Sequence, residues 1–503
     1  MGLGHVKRCL ALGQALQDAG AAVCLVAREL GVDTASLADA VSIEYFELQP
    51  PLQAARAHLQ RAGHAAWAQV GWAEDADETA AALRDWRPDV VVVDHYAFDA
   101  RWHRAVSAAL DARIAAIDDL GDRDLAVDWL IDHNQAPDHQ AKYAGRLASG
   151  TKLLCGPRYA LLAPVYATAA RYAFRPRVAS IGVFMGGADS AGLSSDVVRA
   201  CRQAAGFGGS IEVATTRASP HLAELRATCL RWPHTTLSVD APDLAAFFAR
   251  HDLQIGAGGG ATWERCCIGA PTLALVVADN QRVVISTLVQ LGVLATTDPA
   301  DDSTVASVGR AVSALLQDSE RRATMAQRAQ QLVDGLGARR VALHLAASTL
   351  VMRPALAEDA GLVHAWRNDP ATRAMSHDAQ EIAAPAHVQW LTSVLADPTR
   401  LLLIASIGAI PVGVIRFDRH SGGRATVSLY LDPFLHGLGL GTVMLLAGEQ
   451  HACSQPDPPV HFEATVVEAN AASQRMFRSA GYRHDGERWT KIASPPIAGE
   501  TPT

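Results

Sequence analysis

Cysteine is sparse in this sequence, and its spacing offers neither a disulfide framework nor a metal-binding motif. Eight cysteines are spread over 503 residues, and no two form a C-x-x-C pair. This pattern disfavours a disulfide-stabilised secreted fold, so we expect free, buried thiols in a reducing cytoplasm. The nineteen histidines are scattered and form no metal-like cluster.

Long apolar segments are also missing. One long uncharged run, residues 401–415, is broken by Gly408 and Pro411 and is too short to cross a bilayer. No N-terminal stretch combines a basic start, an apolar centre and a small-residue cleavage site. We therefore expect a cytoplasmic protein that has no membrane partner.

Positive charge is in the minority. Lysine and arginine number 44 against 52 acidic residues, which gives a net charge of −8. A non-specific nucleic-acid binder needs a basic excess, so nucleic acid is not an expected partner. The 49% hydrophobic and 19% charged content is that of a folded protein, and the length indicates two or three domains.

Two sequence patterns divide the chain. As far as residue 347, short apolar runs alternate with helix-length segments, which predicts parallel strands covered on both faces. The expected fold is α/β, with two Rossmann-like halves at residues 1–160 and 161–347. An α+β domain is predicted at 350–493, and the Pro-rich tail 494–503 is expected to be disordered. The apolar runs are at 22–27, 90–93, 114–117, 181–184, 211–214, 253–255 and 272–277.

Glycines surround His5 at the start of the chain, in a loop before a helix predicted to end near residue 19. Such glycines let an anion or a sugar reach the N–H groups of a helix N-terminus. A histidine there can act as a general base near neutral pH. By itself a Gly-His pair is usually incidental, so this motif is weak evidence.

Three further segments, at 186–189, 256–262 and 278–281, follow predicted strands. Parallel strands end at one edge of a sheet, where open α/β sheets bind ligands, so we predict that the segments line one cleft. Glu264 could accept both ribose hydroxyls of a nucleotide, or it could be a surface residue favoured by the helix dipole. The backbone donors for a diphosphate are expected at Gly186, Gly187, Gly258, Gly259, Gly260 and Thr262, and the third segment, 278–281, contains Asn280.

Seven motifs in order give the first 347 residues a specific resemblance. They are G-L-G-H-V-K-R at 2–8, V-D-H-Y at 93–96, D-D-L at 118–120, L-C-G-P-R-Y-A-L at 154–161, G-G-A-D at 186–189, the glycine turn and helix at 256–267, and A-D-N-Q at 278–281. Together they resemble the UDP-2,4-diacetamido-2,4,6-trideoxy-β-L-altropyranose hydrolases of pseudaminic acid biosynthesis, which have the glycosyltransferase-B fold.

That resemblance implies hydrolysis of a UDP-linked amino sugar with inversion at the anomeric carbon. His5 would deprotonate the attacking water, Tyr96 and Asn280 would contact the sugar, and the glycine turn with Glu264 would hold UDP. No metal is implied, because backbone donors can stabilise the departing diphosphate. The D-x-D spacings at 75–77 and 122–124 mimic metal sites, but short acidic loops of this kind are usually solvated.

In the second domain, a predicted strand ending near Leu431 is followed by a turn and a helix, and His436, Gly439 and Gly441 fit the pattern [Q/R]-x-x-G-x-[G/A] except that His replaces Gln or Arg. Asn470 and Ser473 follow a predicted strand at 460–467. These paired motifs resemble the GNAT acetyltransferase superfamily, which implies acetyl-CoA as co-substrate. The residues that the resemblance places at acetyl-CoA are Leu431, His436, Gly437, Gly439, Gly441, Asn470 and Ser473, with His436 standing where the family has Gln or Arg.

Within that superfamily, Trp366-Arg367-Asn368, His387 and Trp390 resemble the sugar-nucleotide 4-amino acetyltransferases of the same pathway. Phe477 replaces a tyrosine that protonates the leaving thiolate in many relatives, so another group or water would be the acid. Glu463 is a candidate base, although a solvated carboxylate at a strand edge is an equally good interpretation.

Two other functions remain open from the sequence. The first is a glycosyltransferase that passes the sugar to an acceptor and is fused to the acetyltransferase. The second is a non-catalytic UDP-sugar-binding module that presents substrate to the acetyltransferase. The sequence does not give the oligomeric state.

One departure from the hydrolase pattern generates a prediction. The family has a central strand before its G-x-G-H loop, whereas this sequence begins in that loop. Losing five buried side chains would remove about 8–15 kcal/mol as an upper bound, which is comparable to the about 5–15 kcal/mol stability of a domain. We therefore expect an N-terminally extended chain to hydrolyse the UDP-sugar faster than the 503-residue chain. Equal rates of UDP release would contradict this.

Overall fold

The structure is a computed structural model, and it describes residues 3–28, 31–51, 64, 67–241, 244–298 and 303–493. It divides into two compact units, one of residues 1–15 and 23–341 and the other of residues 16–22 and 342–503. The domain boundaries expected from the sequence stay predictions. The tail 494–503 lies outside the described residues.

All seven apolar runs of the first 347 residues form strands, and each pairs in parallel. Their continuous apolar character is that of strands covered on both faces. The strands of the first unit are β1 Cys24–Arg28, β2 Glu44–Leu48, β3 Val90–Val93, β4 Arg113–Ile117, β5 Trp129–Asp132, β6 Lys152–Cys155, β7 Ser180–Phe184, β8 Ser210–Thr215, β9 Thr235–Val239, β10 Leu253–Ala257, β11 Thr272–Leu275 and β12 Ala295–Thr296.

Helices connect these strands. Asp and Gly residues at several helix ends supply caps, as where Asp318 accepts from the Arg321 N–H. The helices through residue 345 are Leu3–Asp18, Thr34–Asp39, Trp72–Leu83, Ala100–Leu110, His139–Lys142, Val165–Thr168, Leu193–Arg199 with a π turn at Ala200–Ala204, Leu222–Arg231, Ala245–Arg250, Ala261–Ile268, Gln281–Gln290, Thr304–Gln317, Ser319–Leu332 and Gly337–Leu345.

Three parallel sheets organise the first unit. The six-stranded sheet has the order β12-β11-β10-β7-β8-β9, which is a doubly wound order that reverses between β7 and β10. The other two sheets are the four-stranded β3-β4-β5-β6 and the separate pair β1-β2. Among the described residues no ladder joins β1-β2 to the four-stranded sheet.

The second unit is built on one mixed sheet. Its order is β13-β14-β15-β16-β17-β19-β18, antiparallel throughout except for the parallel pair β16-β17. The strands are β13 Val351–Pro354, β14 Arg400–Ile407, β15 Ile410–His420, β16 Arg424–Leu431, β17 His461–Ala464, β18 Arg483–His484 and β19 Trp489–Ile492, and the helices are Ala360–Asn368, Pro370–Ala374, Ala384–Ala396, Leu440–Cys453 and Ala471–Ser479. This is the α+β pattern expected from the sequence, with β13 at the predicted edge.

All eight cysteines lie in the described ranges, and all are free. Cys201, Cys229, Cys266, Cys267 and Cys453 are buried, and the other three are partly buried. Burial raises the pKa of Cys266 to about 12, so this thiol stays protonated at neutral pH. The cysteines therefore act as small apolar residues of the core.

Candidate functional site

The first candidate site lies at the carboxyl ends of β3, β4 and β5, where each strand runs into a loop with polar side chains. Asp94 and Tyr96 follow β3, Asp119 follows β4, and Asn134 follows β5. Because parallel strands end at the same edge of a sheet, these side chains meet although they are far apart in the sequence. Of these residues, Tyr96 is predicted from the sequence as a site residue, whereas Asp119 and Asn134 are not.

Helix Leu3–Asp18 brings His5 and Arg8 to this edge. His5 lies in the first turn of the helix, not in the loop expected from the sequence. Its Nδ1 is 2.8 Å from Asp94 Oδ1, and Arg8 Nε is 2.5 Å from Asp94 Oδ2. Since a carboxylate only accepts hydrogen bonds, a neutral His5 bonded to Asp94 has its proton on Nδ1 and leaves Nε2 as an acceptor, and Arg8 Nη2 lies 3.1 Å from the same Nδ1.

Asp94 is the electrostatic centre of this group, and its side chain is 2% exposed. Burial alone would raise the pKa of Asp94, but the charge and hydrogen bonds of Arg8, assisted by His5, hold that pKa well below its ordinary value. The carboxylate is therefore ionised throughout the neutral range. It fixes the orientation and tautomer of the imidazole, as the carboxylate of an Asp–His pair does in acyl-transfer enzymes.

A chain of hydrogen bonds joins Tyr96 to the second half of the first unit. The Tyr96 hydroxyl donates to Asp119 Oδ1 at 2.6 Å, and Asn134 Nδ2 donates to Asp119 Oδ2 at 2.8 Å. Trp263 Nε1 then donates to Asn134 Oδ1 at 3.1 Å. The His5 ring packs edge-on against the Tyr96 ring at 5.1 Å. Trp263, which follows the glycine turn, is thus tied to the surroundings of His5.

The predicted glycine turns flank the point where the strand order of the six-stranded sheet reverses. Gly186 and Gly187 follow β7, and the glycines at 258–260 follow β10 and lead into helix Ala261–Ile268. Ligands bind at this reversal point in open α/β sheets. A Cβ built on Gly187 would lie 3.5 Å from Leu3 Cδ2, so the start of the His5 helix and this turn are neighbours.

The remaining residues predicted to contact UDP or the sugar differ in how far they are buried. Asn280 is exposed and precedes helix Gln281–Gln290 with no capping bond from its side chain. Gln281, not Asn280, approaches the glycine turn, because a Cβ on Gly258 would lie 3.1 Å from its Oε1. Thr262 is buried and accepts a bond from Arg265 at 3.1 Å. The roles of these residues, and of the partly buried Glu264, stay predictions.

The described part of the chain has no group of three or more His, Cys, Asp or Glu side chains that could hold a metal ion. The two D-x-D segments take part in ion pairs, since Asp75 contacts Arg28 at 3.2 Å and Asp122 contacts Arg123 at 3.2 Å. No helix within the described ranges has the length and apolar character needed to span a membrane.

The second candidate site begins where β16 ends at Leu431. Gly437 and Gly439 follow with φ of 82° and 76°, which is left-handed backbone that favours glycine, and helix Leu440–Cys453 starts directly afterwards. His436 lies in this turn. Free N–H groups at such a helix start suit the phosphates of a coenzyme.

Strands β16 and β17 diverge beside this turn. They pair only where Arg424–Thr426 meets His461–Glu463, and β16 runs on to Leu431 without a ladder on that side among the described residues. Asn470 accepts from the Ser473 N–H at 3.0 Å and caps helix Ala471–Ser479. A Cβ on Gly441 would lie 2.9 Å from Met476 Sδ, so this glycine lets two helices approach closely.

A cavity of about 310 Å³ opens on one face of the β14-β15-β16 layer. It combines an apolar floor with two guanidinium groups, and Arg416 lies 5.7 Å from the centre of the Trp390 ring. Such a mixture of aromatic and convergent polar groups is typical of small-molecule sites. Its lining is Arg367, Ile382, His387, Trp390, Leu402, Val414, Arg416, Ser428 and Tyr430.

His387 is the unusual side chain of this cavity. It is 2% exposed, and neither ring nitrogen has a hydrogen-bond partner among the described residues. Burial lowers the pKa of His387, and the nearby His364 and Arg367 lower it further, so the imidazole is neutral at pH 7. A buried imidazole without partners calls for an explanation, and a ligand that supplies the missing bonds is one.

Two side chains discussed for the acetyl transfer have other roles in the fold. Phe477 is buried against Tyr482 and Trp489, with ring centroids 4.9 Å and 6.3 Å away. Glu463 forms an ion pair with Arg488 at 2.8 Å. That guanidinium competes for the carboxylate oxygens with any amine, so the role of Glu463 as a base stays a prediction.

The glycine turn, the diverging strands and the cavity lie in a segment with a recognised family. Residues 349–483 match the acetyltransferase (GNAT) domain. The C-terminal part of the chain is therefore a GNAT acetyltransferase domain, as the glycine pattern and the Asn470 motif predict.

One curated relative comes from sugar metabolism. The chain is 28% identical over 144 residues to the spore coat polysaccharide biosynthesis protein SpsG of Bacillus subtilis (strain 168). That alignment covers 28% of this chain and 42% of the relative, so the chain spans less than half of that protein.

Solved acetyltransferases are also similar to the chain. One is aminoglycoside acetyltransferase AAC(6')-Ib in complex with ribostamycin and coenzyme A, at 18% identity and a TM-score of 0.26, covering 29% of this chain and 93% of that one. Another is the spermidine N-acetyltransferase of Vibrio cholerae in complex with CoA and spermine, at 10% identity and a TM-score of 0.27, covering 29% and 96%.

The Asp94 group makes a prediction about stability. Asp94→Asn removes the charge that balances Arg8, so we expect the first unit to lose about 3 kcal/mol at pH 7, as for a broken buried ion pair. Because the folded pKa of Asp94 is depressed, the pair contributes fully above the unfolded pKa of about 3.9 and is lost as pH falls below it. The deficit should therefore shrink below about pH 4.

Urea unfolding at several pH values measures this deficit, and hydrogen exchange of strand β3 assigns it to the first unit. Asp240→Asn is the matched control, because Asp240 pairs with Arg217, which is 83% exposed. We expect the control to change stability little. A deficit in Asp94→Asn that does not vary with pH would contradict the assignment of the pKa.

Proposed function

We propose that this chain is a bifunctional nucleotide-sugar enzyme of pseudaminic (nonulosonic) acid biosynthesis. Its GNAT domain acetylates the 4-amino group of a UDP-linked 2-acetamido-4-amino-trideoxy sugar. Its first unit, with a glycosyltransferase-B-like fold, hydrolyses the product, UDP-2,4-diacetamido-2,4,6-trideoxy-β-L-altrose, to the free sugar and UDP. The observation that carries the hydrolytic part is the contact of His5 Nδ1 with the buried carboxylate of Asp94.

In the hydrolysis, His5 Nε2 accepts a proton from water while the water oxygen forms a bond to the anomeric carbon. The bond from that carbon to the diphosphate oxygen breaks, and the electron pair leaves with UDP, which inverts the configuration. Asp94 stabilises the imidazolium that forms, because its carboxylate accepts the hydrogen bond from the Nδ1–H group. The backbone N–H groups of the turns at 186–187 and 258–260 would donate hydrogen bonds to the diphosphate and stabilise the negative charge that develops on it.

In the acetyl transfer, the sugar amine attacks the thioester carbonyl of acetyl-CoA, and CoA leaves as a thiolate that then takes up a proton. Neutral His387 can accept a proton from the attacking amine. The turn at Leu431, His436, Gly437 and Gly439 would bind the coenzyme diphosphate, and the unpaired edge of β16 would bind its amide groups.

The charge of the cavity supports a nucleotide-linked acceptor over a polycation. Arg367 Nη1 is buried without a hydrogen-bond partner among the described residues, and Arg416 shares its charge with Asp418 at 2.9 Å. Two guanidinium groups repel a polyamine but favour an amine whose other end carries phosphate. Trp390 offers a flat apolar surface for a sugar ring.

Substitution of His5 tests the hydrolysis. His5→Asn removes the general base, so we expect UDP release with water as the sole acceptor to fall about 100-fold or more. UDP appearance in single-turnover assays measures it, and His234→Asn, an exposed histidine of the same unit, is the control. Unchanged UDP release in His5→Asn would favour a non-catalytic binding module. UDP release by the wild type only when a sugar acceptor is added would favour a glycosyltransferase.

Substitution of His387 tests the acetyl transfer. We expect His387→Asn to lower kcat for acetylation about 100-fold while the KM for acetyl-CoA changes little. Because the pKa of His387 is depressed, the imidazole stays neutral as the pH falls through 6.5. The wild-type acetylation rate should therefore fall only at a lower pH, where His387 becomes protonated. His451→Asn, in the last turn of helix Leu440–Cys453, is the control. Mass spectrometry that finds only acetylated UDP-sugar, with no free diacetamido sugar, would contradict the hydrolysis alone.

A further inference from the structure

Arg265 is an arginine whose burial the fold itself does not explain. It lies in helix Ala261–Ile268 and is 0% exposed. Its Nη2 donates to Ala257 O at 2.8 Å and to Thr262 Oγ1 at 3.1 Å. Nε and Nη1 have no hydrogen-bond partner among the described residues, so three of the five N–H donors are unused.

The other well-buried arginines of this unit are better compensated. Arg8, Arg28 and Arg340 pair with carboxylates at Asp94, Asp75 and Asp334. Arg322, also 0% exposed, has no partner for Nε among the described residues, but its other nitrogens donate to the carbonyls of Leu315, Leu316 and Pro176. Arg265 has one carbonyl and one hydroxyl, and no carboxylate lies within ion-pair distance among the described residues. A buried charge left in this state is costly unless something else balances it.

The position of the guanidinium identifies what could balance it. A Cβ on Gly256 would lie 2.4 Å from Arg265 Nη1 and 2.4 Å from Phe184 O, so the group lies against the end of β10 where that strand meets β7. The glycines at 258–260 and at 186–187 continue from these two strand ends. Arg265 belongs to the last turn of its eight-residue helix, but its guanidinium reaches back to Ala257 and Thr262, so the charge is held beside both turns near the helix start.

We propose that Arg265 is the fixed positive charge of a diphosphate-binding site at this strand reversal, and that it balances the phosphates of the bound nucleotide from beneath the glycine turn. The inference rests on the proposed function, since a UDP-linked sugar is the expected occupant. Burial lowers the pKa of Arg265 to about 10, so the group is still charged at neutral pH. In a low-dielectric interior such a charge acts strongly over a short distance.

Calorimetric titration of the full chain in EDTA with UDP, uridine and inorganic pyrophosphate tests this inference. We expect Arg265→Gln to weaken UDP and pyrophosphate binding at least tenfold and uridine binding less than twofold, with Arg265→Lys between wild type and Arg265→Gln. Arg322→Gln is the matched control. It also removes a buried guanidinium of the same half, so it should lower Tm but keep the wild-type ratio of UDP to uridine affinity.

The outcomes separate the two proposals. If Arg265→Gln keeps the wild-type ratio of UDP to uridine affinity, as the control Arg322→Gln should, then Arg265 is structural. The inference then fails while the UDP site stands. Arg265→Lys gives the same test if Arg265→Gln does not fold. If the wild type binds pyrophosphate in an Arg265-dependent way but does not discriminate UDP from ADP, the inference stands and the UDP-sugar function fails. Absence of both UDP and pyrophosphate binding would overturn both.

Discussion

The arrangement of the first unit depends on the neutralisation of Asp94. This carboxylate is buried at the end of β3, and a buried charge persists only where other charges and hydrogen bonds compensate it. Both compensating groups, Arg8 and His5, come from helix Leu3–Asp18. The same contacts that stabilise the carboxylate therefore fix the orientation of the imidazole. Because the pair β1-β2 forms no ladder with the four-stranded sheet in the described residues, this ion pair is a major link between the helix and β3.

Close backbone approach is the second constraint, and it explains the glycines better than the ligand alone does. At Gly256 a side chain would collide with Phe184 O and Arg265, and at Gly258 it would collide with Ile285. The turn is thus glycine-rich partly because two strands and two helices converge there. Gly260, by contrast, has no atom within 4 Å of a built Cβ, so open space lies above the start of the helix. That space is where the N–H groups of the helix can meet an anion.

The sequence predicts the buried strands well because a strand covered on both faces must be apolar throughout. It does not reveal Glu44–Leu48 or Thr235–Val239, which lie at sheet edges where partial exposure permits polar residues. It also misses the buried, interior strand Trp129–Asp132, whose apolar run is only three residues long. The His5 motif is found from the sequence, but its helical setting is not, because glycines at 2 and 4 suggest a loop. Asp119 and Trp263 lie within motifs of the resemblance but carry no role there, and Asn134 lies in no motif. Only the meeting of strand ends distant in the sequence brings them together.

The two units place similar demands on a ligand although their folds differ. In the GNAT domain, Arg367 holds an unused donor at a cavity that also presents a neutral His387 and the Trp390 ring. In the first unit, three of the Arg265 donors have no partner within the described ranges, and the group lies beside two glycine turns. An amino sugar that carries a nucleoside diphosphate satisfies both, since one end presents an amine near neutral imidazole and the other presents phosphates to guanidinium groups. A cationic acceptor would satisfy neither arginine. In the proposed function, acetylation converts the amine to an uncharged amide, and the acetylated UDP-sugar is then the substrate of the first unit.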